Sequence, residues 1–439
     1  MTGTYTLSNL ARSANMFSTC KSPMNTIRRN QFVALLMFFA VQMMTGARAI
    51  ETELSGHMEA QVRWFQSSPF IAGRLKQAEG AIFSVSIKPE WKYLTRDRRH
   101  DFKITPFVRY DARDKERTHM DMRELYWVYK GDNFKFLAGV NQVFWGVAES
   151  RHLVDIINQT DLVENPDEEE KLGQPMIALT LEMARVLNAE EGRNLGKLTA
   201  FLMPGFRERT FPGPRGRLSG LQPVSTSTAR FPGGASKDRV DLALRYSHTI
   251  SKWDLGLHYF HGNSREPWFR QSRAGITPQY DLINQVGADI QYTNGAWLGK
   301  FEGIIREGQG KPFGALAAGV EYTFYQPFKT WDVGLLVEYL HDGRDKFLAP
   351  QSIFDNDIFL GTRLSFNDEQ NTQILAGAVS DLESGAYSFS LEAERRISNS
   401  ISAELVARIF NGVDGNPVED ILSGIEKDDY VRFSMFYHF

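Results

Sequence analysis

One cysteine, Cys20, stands in 439 residues. It lies upstream of an apparent cleavage site, so the mature chain is expected to carry no thiol. That excludes a disulfide scaffold and any Cys-ligated metal, and no lipobox surrounds Cys20 to mark a lipoprotein. Long apolar runs are also missing. The best is Phe32 to Met44, well short of the roughly 20 residues a helical span needs. No linker or low-complexity spacer divides the chain, which argues against a second domain. No His-Glu-x-x-His, phosphate loop, Cys-based site or nucleophile elbow appears. No enzyme, metal or cofactor is therefore expected. With a net charge of −3, neither is a nucleic-acid partner.

What is present sits first at the two ends. Arg28-Arg29 precede the apolar run, and Thr45-Gly46-Ala47-Arg48-Ala49 follow it. A basic region, a short apolar stretch and an Ala-x-Ala site make a secretory signal. Residues 1–49 are read as an upstream segment plus signal peptide, with Met24 the true start and 50–439 the mature chain. At the other end Val431, Phe433, Met435, Tyr437 and Phe439 alternate with polar or smaller residues. A strand turns successive side chains to opposite faces, so these five share one apolar face. An edge strand in water is usually blunted with charge or proline; this one is greasy and ends on an aromatic.

Between the ends runs a weak unit of about ten alternating residues followed by a turn. Strands are expected near 53–65, 81–94, 101–112, 120–130, 134–145, 174–185, 195–205, 238–249, 252–263, 281–293, 296–307, 314–325, 331–342, 355–366, 371–381, 386–397, 400–411 and 429–439. That is eighteen; one hairpin missed or invented gives 16 or 20. Connections after even-numbered strands are short, such as Gly131-Asp132-Asn133, Ser251-Lys252 and Asn294-Gly295, and several suit tight hairpins. Those after odd-numbered strands are mostly long. In the third strand Phe102, Ile104, Val108 and Tyr110 oppose Lys103, Thr105, Arg109 and Asp111. In the thirteenth, Trp331, Val333, Val337 and Tyr339 oppose Asp332 and Glu338. A lysine or arginine facing lipid at mid-depth costs about 2–4 kcal/mol, so the charged faces must point inward. The fold class is all-β: a transmembrane antiparallel barrel without a plug domain. Tyr and Trp near strand ends (Trp91, Tyr93, Tyr110, Tyr292, Trp297, Tyr322, Tyr339) suit interfacial girdles.

The closing strand resembles that of Gram-negative outer-membrane barrels. In that resemblance Tyr437 and Phe439 are the signal read by the barrel-assembly machinery. The partners it implies are periplasmic chaperones, outer-membrane lipid and lipopolysaccharide, with the homotrimer common among porins. The segment Trp145-Gly146-Val147-Ala148-Glu149 … Asp155-Ile156-Ile157-Asn158-Gln159-Thr160-Asp161 resembles a loop of a poorly characterised outer-membrane barrel family, similar in general form to alginate-export-type porins. Arg123 to Lys130 resembles that family too, although Asn141-Gln142 departs from its pattern. By the strand count this is the third outside loop, which in porins folds inward as a constriction.

Gly146 is expected to let the chain leave the fifth strand. A helical turn would set Asp155, Asn158 and Asp161 on one side. Either the loop offers Glu149, Asp155 and Asp161 to the pore, or these residues cap turns and fix it to the wall. Lumen charge is expected from Arg63, Lys88, Lys103 and Arg109 early in the chain and from Glu338 and Glu404 later. Arg207, Arg209, Arg215, Arg217 and Arg230 form a second basic group, which guides anionic solutes, binds lipopolysaccharide phosphates or is merely solvated. The acidic run Asp167-Glu168-Glu169-Glu170 reads as a soluble loop tip. Function is expected to be passive passage of small hydrophilic solutes, anionic ones among them. An export or lipid-handling conduit and a closed adhesion scaffold are the alternatives.

Overall fold

The computed structural model describes residues 49–66, 79–190, 192–219, 224–272, 275–412 and 425–439. Cys20, Met24 and the signal segment lie outside them. The strands are β1 (Ala49–Phe65), β2 (Gly80–Thr95), β3 (His100–Asp111), β4 (His119–Lys130), β5 (Phe134–Asn141), β6 (Gln174–Glu182), β7 (Lys197–Pro204), β8 (Val240–Ile250), β9 (Trp253–Asn263), β10 (Trp268–Ser272), β11 (Gly275–Gln279), β12 (Leu282–Asn294), β13 (Trp297–Glu307), β14 (Phe313–Phe328), β15 (Trp331–Asp342), β16 (Asn356–Ser365), β17 (Gln373–Asp381), β18 (Tyr387–Arg396), β19 (Ile401–Asn411) and β20 (Tyr430–His438). All except β10 and β11 form one eighteen-stranded sheet in chain order. It closes where β1 meets β20, from His57 opposite His438 to Phe65 opposite Tyr430. Every neighbouring pair is antiparallel, so an even count leaves the start of β1 and the end of β20 at the rim of short turns. Closure removes the sheet edge that lipid could not satisfy.

Each of the eighteen expected strands has its counterpart, and the differences are local. β5 ends at Asn141 rather than near 145. Beyond it the backbone donors go to loop side chains instead of the ladder: Val143 N donates to Asn158 Oδ1 at 2.8 Å and Trp145 N to Asp155 Oδ1 at 2.6 Å. β6 stops at Glu182, where α1 (Met183–Val186) makes one helical turn. The connection 264–281, read as plain loop, contains the β10–β11 hairpin. In β4 the alternation slips because the register jumps from Thr105 opposite Glu124 to Pro106 opposite Met122. That is a β-bulge with Arg123 as the extra residue, and it turns the Arg123 side chain toward the loop inside. At the β12–β13 turn Gly295 adopts φ +61°, a left-handed conformation that glycine reaches without strain.

The outer face is apolar around the ring. Val108 and Tyr110 on β3, Leu242 and Leu244 on β8, Leu335, Val337 and Tyr339 on β15, and Val431, Phe433, Met435 and Tyr437 on β20 are all exposed. Soluble proteins rarely leave apolar patches beyond a few hundred Å²; this band is matched to lipid. Near the short turns aromatic pairs rim it: Tyr93–Phe102, Trp127–Phe136, Trp253–Tyr292, Trp297–Tyr322 and Trp331–Phe366, with centroids 4.4–5.9 Å apart. Tyr and Trp are amphipathic enough to sit at such an interface. The alternate residues Arg109, Asp111, Asp241 and Glu338 are buried inside.

The lumen also holds a hydrophobic cluster. Phe201, Met203, Ala243, Phe260, Ile283, Ile304, Ala317 and Leu340 point inward from β7 to β15 and pack against Trp145, Leu153, Val154, Ile156 and Ile157. Inward apolar side chains in a wet barrel are costly unless covered, and the connection between β5 and β6 covers them.

An outward charge tests this orientation. Val337→Arg should lower folding stability by about 2–4 kcal/mol, read by urea titration of the refolded barrel. Ser390→Arg, on the inner face of β18, should cost far less. Equal costs would contradict the assignment of faces.

Candidate functional site in the barrel lumen

The connection 142–173 crosses the interior. From β5 it reaches β13 and β15, six and eight strands away around the eighteen-strand ring. It then passes to β1, β3, β19 and β20 and returns to β6. Glu302 on β13 accepts Val147 N at 2.6 Å and Ala148 N at 2.9 Å on Oε1, and Val154 N at 3.2 Å on Oε2. Glu338 on β15 accepts Glu149 N at 2.7 Å, Ser150 N at 2.9 Å and Ser150 Oγ at 2.6 Å. Glu149 itself pairs with Lys300 at 3.0 Å and Arg363 at 2.8 Å. Burial raises its pKa, but those two cations outweigh burial and hold the carboxyl below its ordinary value. Arg151 pairs with Asp342 at 3.1 Å. His152 lies 3.7 Å from Glu302; burial disfavours its charge, yet Glu302 wins and raises its pKa.

The middle of the crossing is apolar or structural. Trp145 is buried against Phe201 and His258, with the Arg245 guanidinium 4.7 Å from its ring centroid. Gly146 is not where the chain leaves the strand. A Cβ there would strike the His152 ring, so this glycine makes room for a side chain. Nor do Asp155, Asn158 and Asp161 share a helical face, since the segment forms no helix. Asp155 Oδ1 caps Trp145 N and Gly146 N. Asn158 donates to the carbonyls of Asn141 at 2.8 Å and Leu172 at 2.9 Å, pinning both ends of the loop together. Asp161, 0% exposed, pairs with Arg123 at 2.6 Å and accepts from Thr210 Oγ1 at 2.5 Å. Of the three carboxylates, Asp155 and Asp161 fix the loop, and Glu149 reaches across to wall cations.

The far arm meets the early basic wall. Glu164 pairs with Arg109 at 2.7 Å and His119 at 2.8 Å. Burial works against its ionisation, but the Arg109 guanidinium and His119 hold the carboxyl well below the usual range. Arg109 also grips Glu59 at 2.7 Å. Arg63 donates to Glu164 O at 3.2 Å and Asn165 Oδ1 at 3.1 Å. Lys103 pairs with Glu90 at 2.8 Å and Glu124 at 2.7 Å, and Lys88 is half-buried on the inner face of β2. Glu404 pairs with Arg432 at 2.9 Å.

The acidic run is not a tip in bulk water. Asp167 lies 3.5 Å from Arg408 of β19, and Glu168 pairs with Arg209 at 2.8 Å. The run is exposed, with Asp167 tied to the wall through Arg408. Burial, then Asp167 and Glu392, push the Glu169 carboxyl up to about 7. The second basic group is partly spent on structure. Arg207 pairs with Asp121 at 2.7 Å and Arg217 with Asp428 at 2.7 Å, while Arg215 and Arg230 are exposed. Sequence reasoning passed over Glu302, Asp342 and Glu164, and named Arg123 only within a resemblance, with no role. Inward parity marks Glu302 and Asp342, but nothing local names their loop partners.

No family model matches this chain, and no curated protein matches it. Among solved structures, OccK3 (OpdO) of Pseudomonas aeruginosa is 7% identical over 90% of this chain and 97% of its own, with a TM-score of 0.51. A BenF-like porin from Pseudomonas fluorescens Pf-5 is 9% identical over 89% and 97%, with a TM-score of 0.50. At such identities the likeness is one of fold: this chain has the architecture of a porin barrel.

Removing one partner of a buried ion pair is strongly destabilising, by about 3–5 kcal/mol. Asp161→Ala should therefore unseat the loop and leave the barrel closed. Protease added to the folded protein should cut within 142–173 at least several-fold faster than in the native chain. An unchanged cutting rate would show that Asp161 does not seat the loop.

Proposed function

We propose that this chain is an outer-membrane channel through which small hydrophilic solutes pass passively, by an off-centre path beside the crossing loop. One observation carries the reading: the lumen is divided. The loop's apolar side packs against β7 to β15, while Glu149, Asp167, Glu392 and Glu404 pair with Arg363, Arg408 and Arg432 on β16, β19 and β20. A charged lumen is a wet one, and an eighteen-strand ring is wide enough for an aqueous path beside a loop. The apolar outer band supports the membrane location. Tyr437, on that outer face, and the terminal Phe439 are exposed, which suits recognition by assembly machinery.

We propose a cationic preference in place of the anionic passage expected from the basic group Arg207, Arg209, Arg215, Arg217 and Arg230. Arg63 and Arg109 are buried and occupied by the loop. Facing open space, Glu149, Asp167, Glu168, Glu169, Glu170, Glu392 and Glu404 outnumber Lys88, Arg209, Arg363, Arg408 and Arg432, and Arg408 is shared between Asp167 and Glu392. An acidic lumen draws cations.

The refolded chain 50–439 in a planar bilayer should show steady conductance on the order of a nanosiemens or less. In a potassium chloride gradient at pH 8 the reversal potential should have the sign of cation preference. Silence from a folded, heat-modifiable barrel would sink the channel reading.

A pH series adds a second expectation. Glu169 has a raised pKa near 7, so it is ionised above that pH and neutral below it. Cation preference should fall as pH drops from 8 to 6, and Glu169→Gln should flatten that step. A step that survives the substitution would place the titrating group elsewhere.

A further inference from the structure

Residues 147–152 are held differently from the rest of the crossing loop. Leu153, Val154, Ile156 and Ile157 are buried in the apolar cluster, and among 147–152 only Ala148 joins it. What holds that stretch is charge. Its four consecutive amides, Val147 to Ser150, have no ladder partner, and all four end on two wall carboxylates, at 2.6–2.9 Å. Val154 N and Ser150 Oγ complete the two clamps. Glu302 is 0% exposed and Glu338 2%, so each carboxylate has these donors in place of water. Amide bonds to an ionised acceptor are roughly twice as strong as neutral ones, and buried amides left without acceptors are costly.

We propose that Glu302 and Glu338 are positioning residues of the pore. They seat 147–152 as a flap on β13 and β15, from which Glu149 reaches Arg363 of β16 at the edge of the open side, and the flap loosens when they are neutralised, while the apolar remainder of the loop stays. This rests on the channel reading above. Glutamine keeps the size of each side chain but offers one acceptor oxygen and turns an NH₂ toward an amide donor.

The experiment compares single-channel conductance of the native chain and Glu302→Gln/Glu338→Gln, both shown to be folded by heat-modifiable migration. The double variant should conduct at least about twofold more. Ser150→Cys/Glu338→Cys, joined by a short bis-thiol crosslinker, gives an independent handle, since Ser150 Oγ meets the far end of the Glu338 side chain and a direct disulfide would be too short. Crosslinked, it should conduct like the native chain; without the crosslinker, and with Glu302 still in place, it should conduct more than the crosslinked form. A silent native chain beside a conducting double variant would reject the open-channel reading and uphold the flap as a closure. Equal conductance, silence from both folded proteins, or indifference of the cysteine variant to crosslinking would overturn the flap. The cysteine pair decides the matter if the glutamine variant does not fold.

Discussion

Lipid offers no hydrogen-bond partner, and everything else in this molecule follows from that. Each backbone N–H and C=O within the hydrocarbon must be met by the chain itself. A sheet meets this demand only by closing, which is what the β1–β20 seam does. The same constraint assigns the two faces of every strand: apolar side chains go to lipid and charges to the interior. The amphipathic pattern is therefore a direct imprint of solvent on sequence.

Closure creates a second problem, which the loop between β5 and β6 answers. The ring encloses more space than its inward side chains fill, and several of those, such as Phe201, Phe260 and Ile283, are apolar. The loop covers them with Trp145, Ile156 and Ile157 on one side. It takes up wall charges on the other: Glu302 and Glu338 with its amides, Arg109 and Arg123 with its carboxylates. Most of the charges that looked free to act on solutes serve as anchors. The few left facing open space, above all residues 167–170 and Glu392, are then disproportionately important for selectivity.

The sequence made the strands legible because their signal is local and strongly enforced. Period-two alternation in β3, β8, β15 and β20 reads directly, and one misplaced arginine is costly. The bulge at Arg123 in β4 breaks that alternation, and no local signal names it. What was illegible depends on partners far along the chain. β5 stops at Asn141 because Asn158 and Asp155 take the next amides. The spacing of Asp155, Asn158 and Asp161 suggested a helical turn, yet each faces a different element. Asp167 to Glu170 read as a loop tip, and only the crossing of the lumen brings them to Arg408 and Arg209. Tertiary contact decides such segments, and parity says nothing about it.

The central claim is that the β5–β6 connection crosses the lumen and is seated on both walls. A density map of the refolded chain in a lipid nanodisc, by electron cryomicroscopy, tests it most directly. The account predicts continuous density for 142–173 inside the ring, with Glu302 and Glu338 against the amides of 147–150 and Arg109 against Glu164. An empty lumen with that segment lying above the long-loop rim would contradict it.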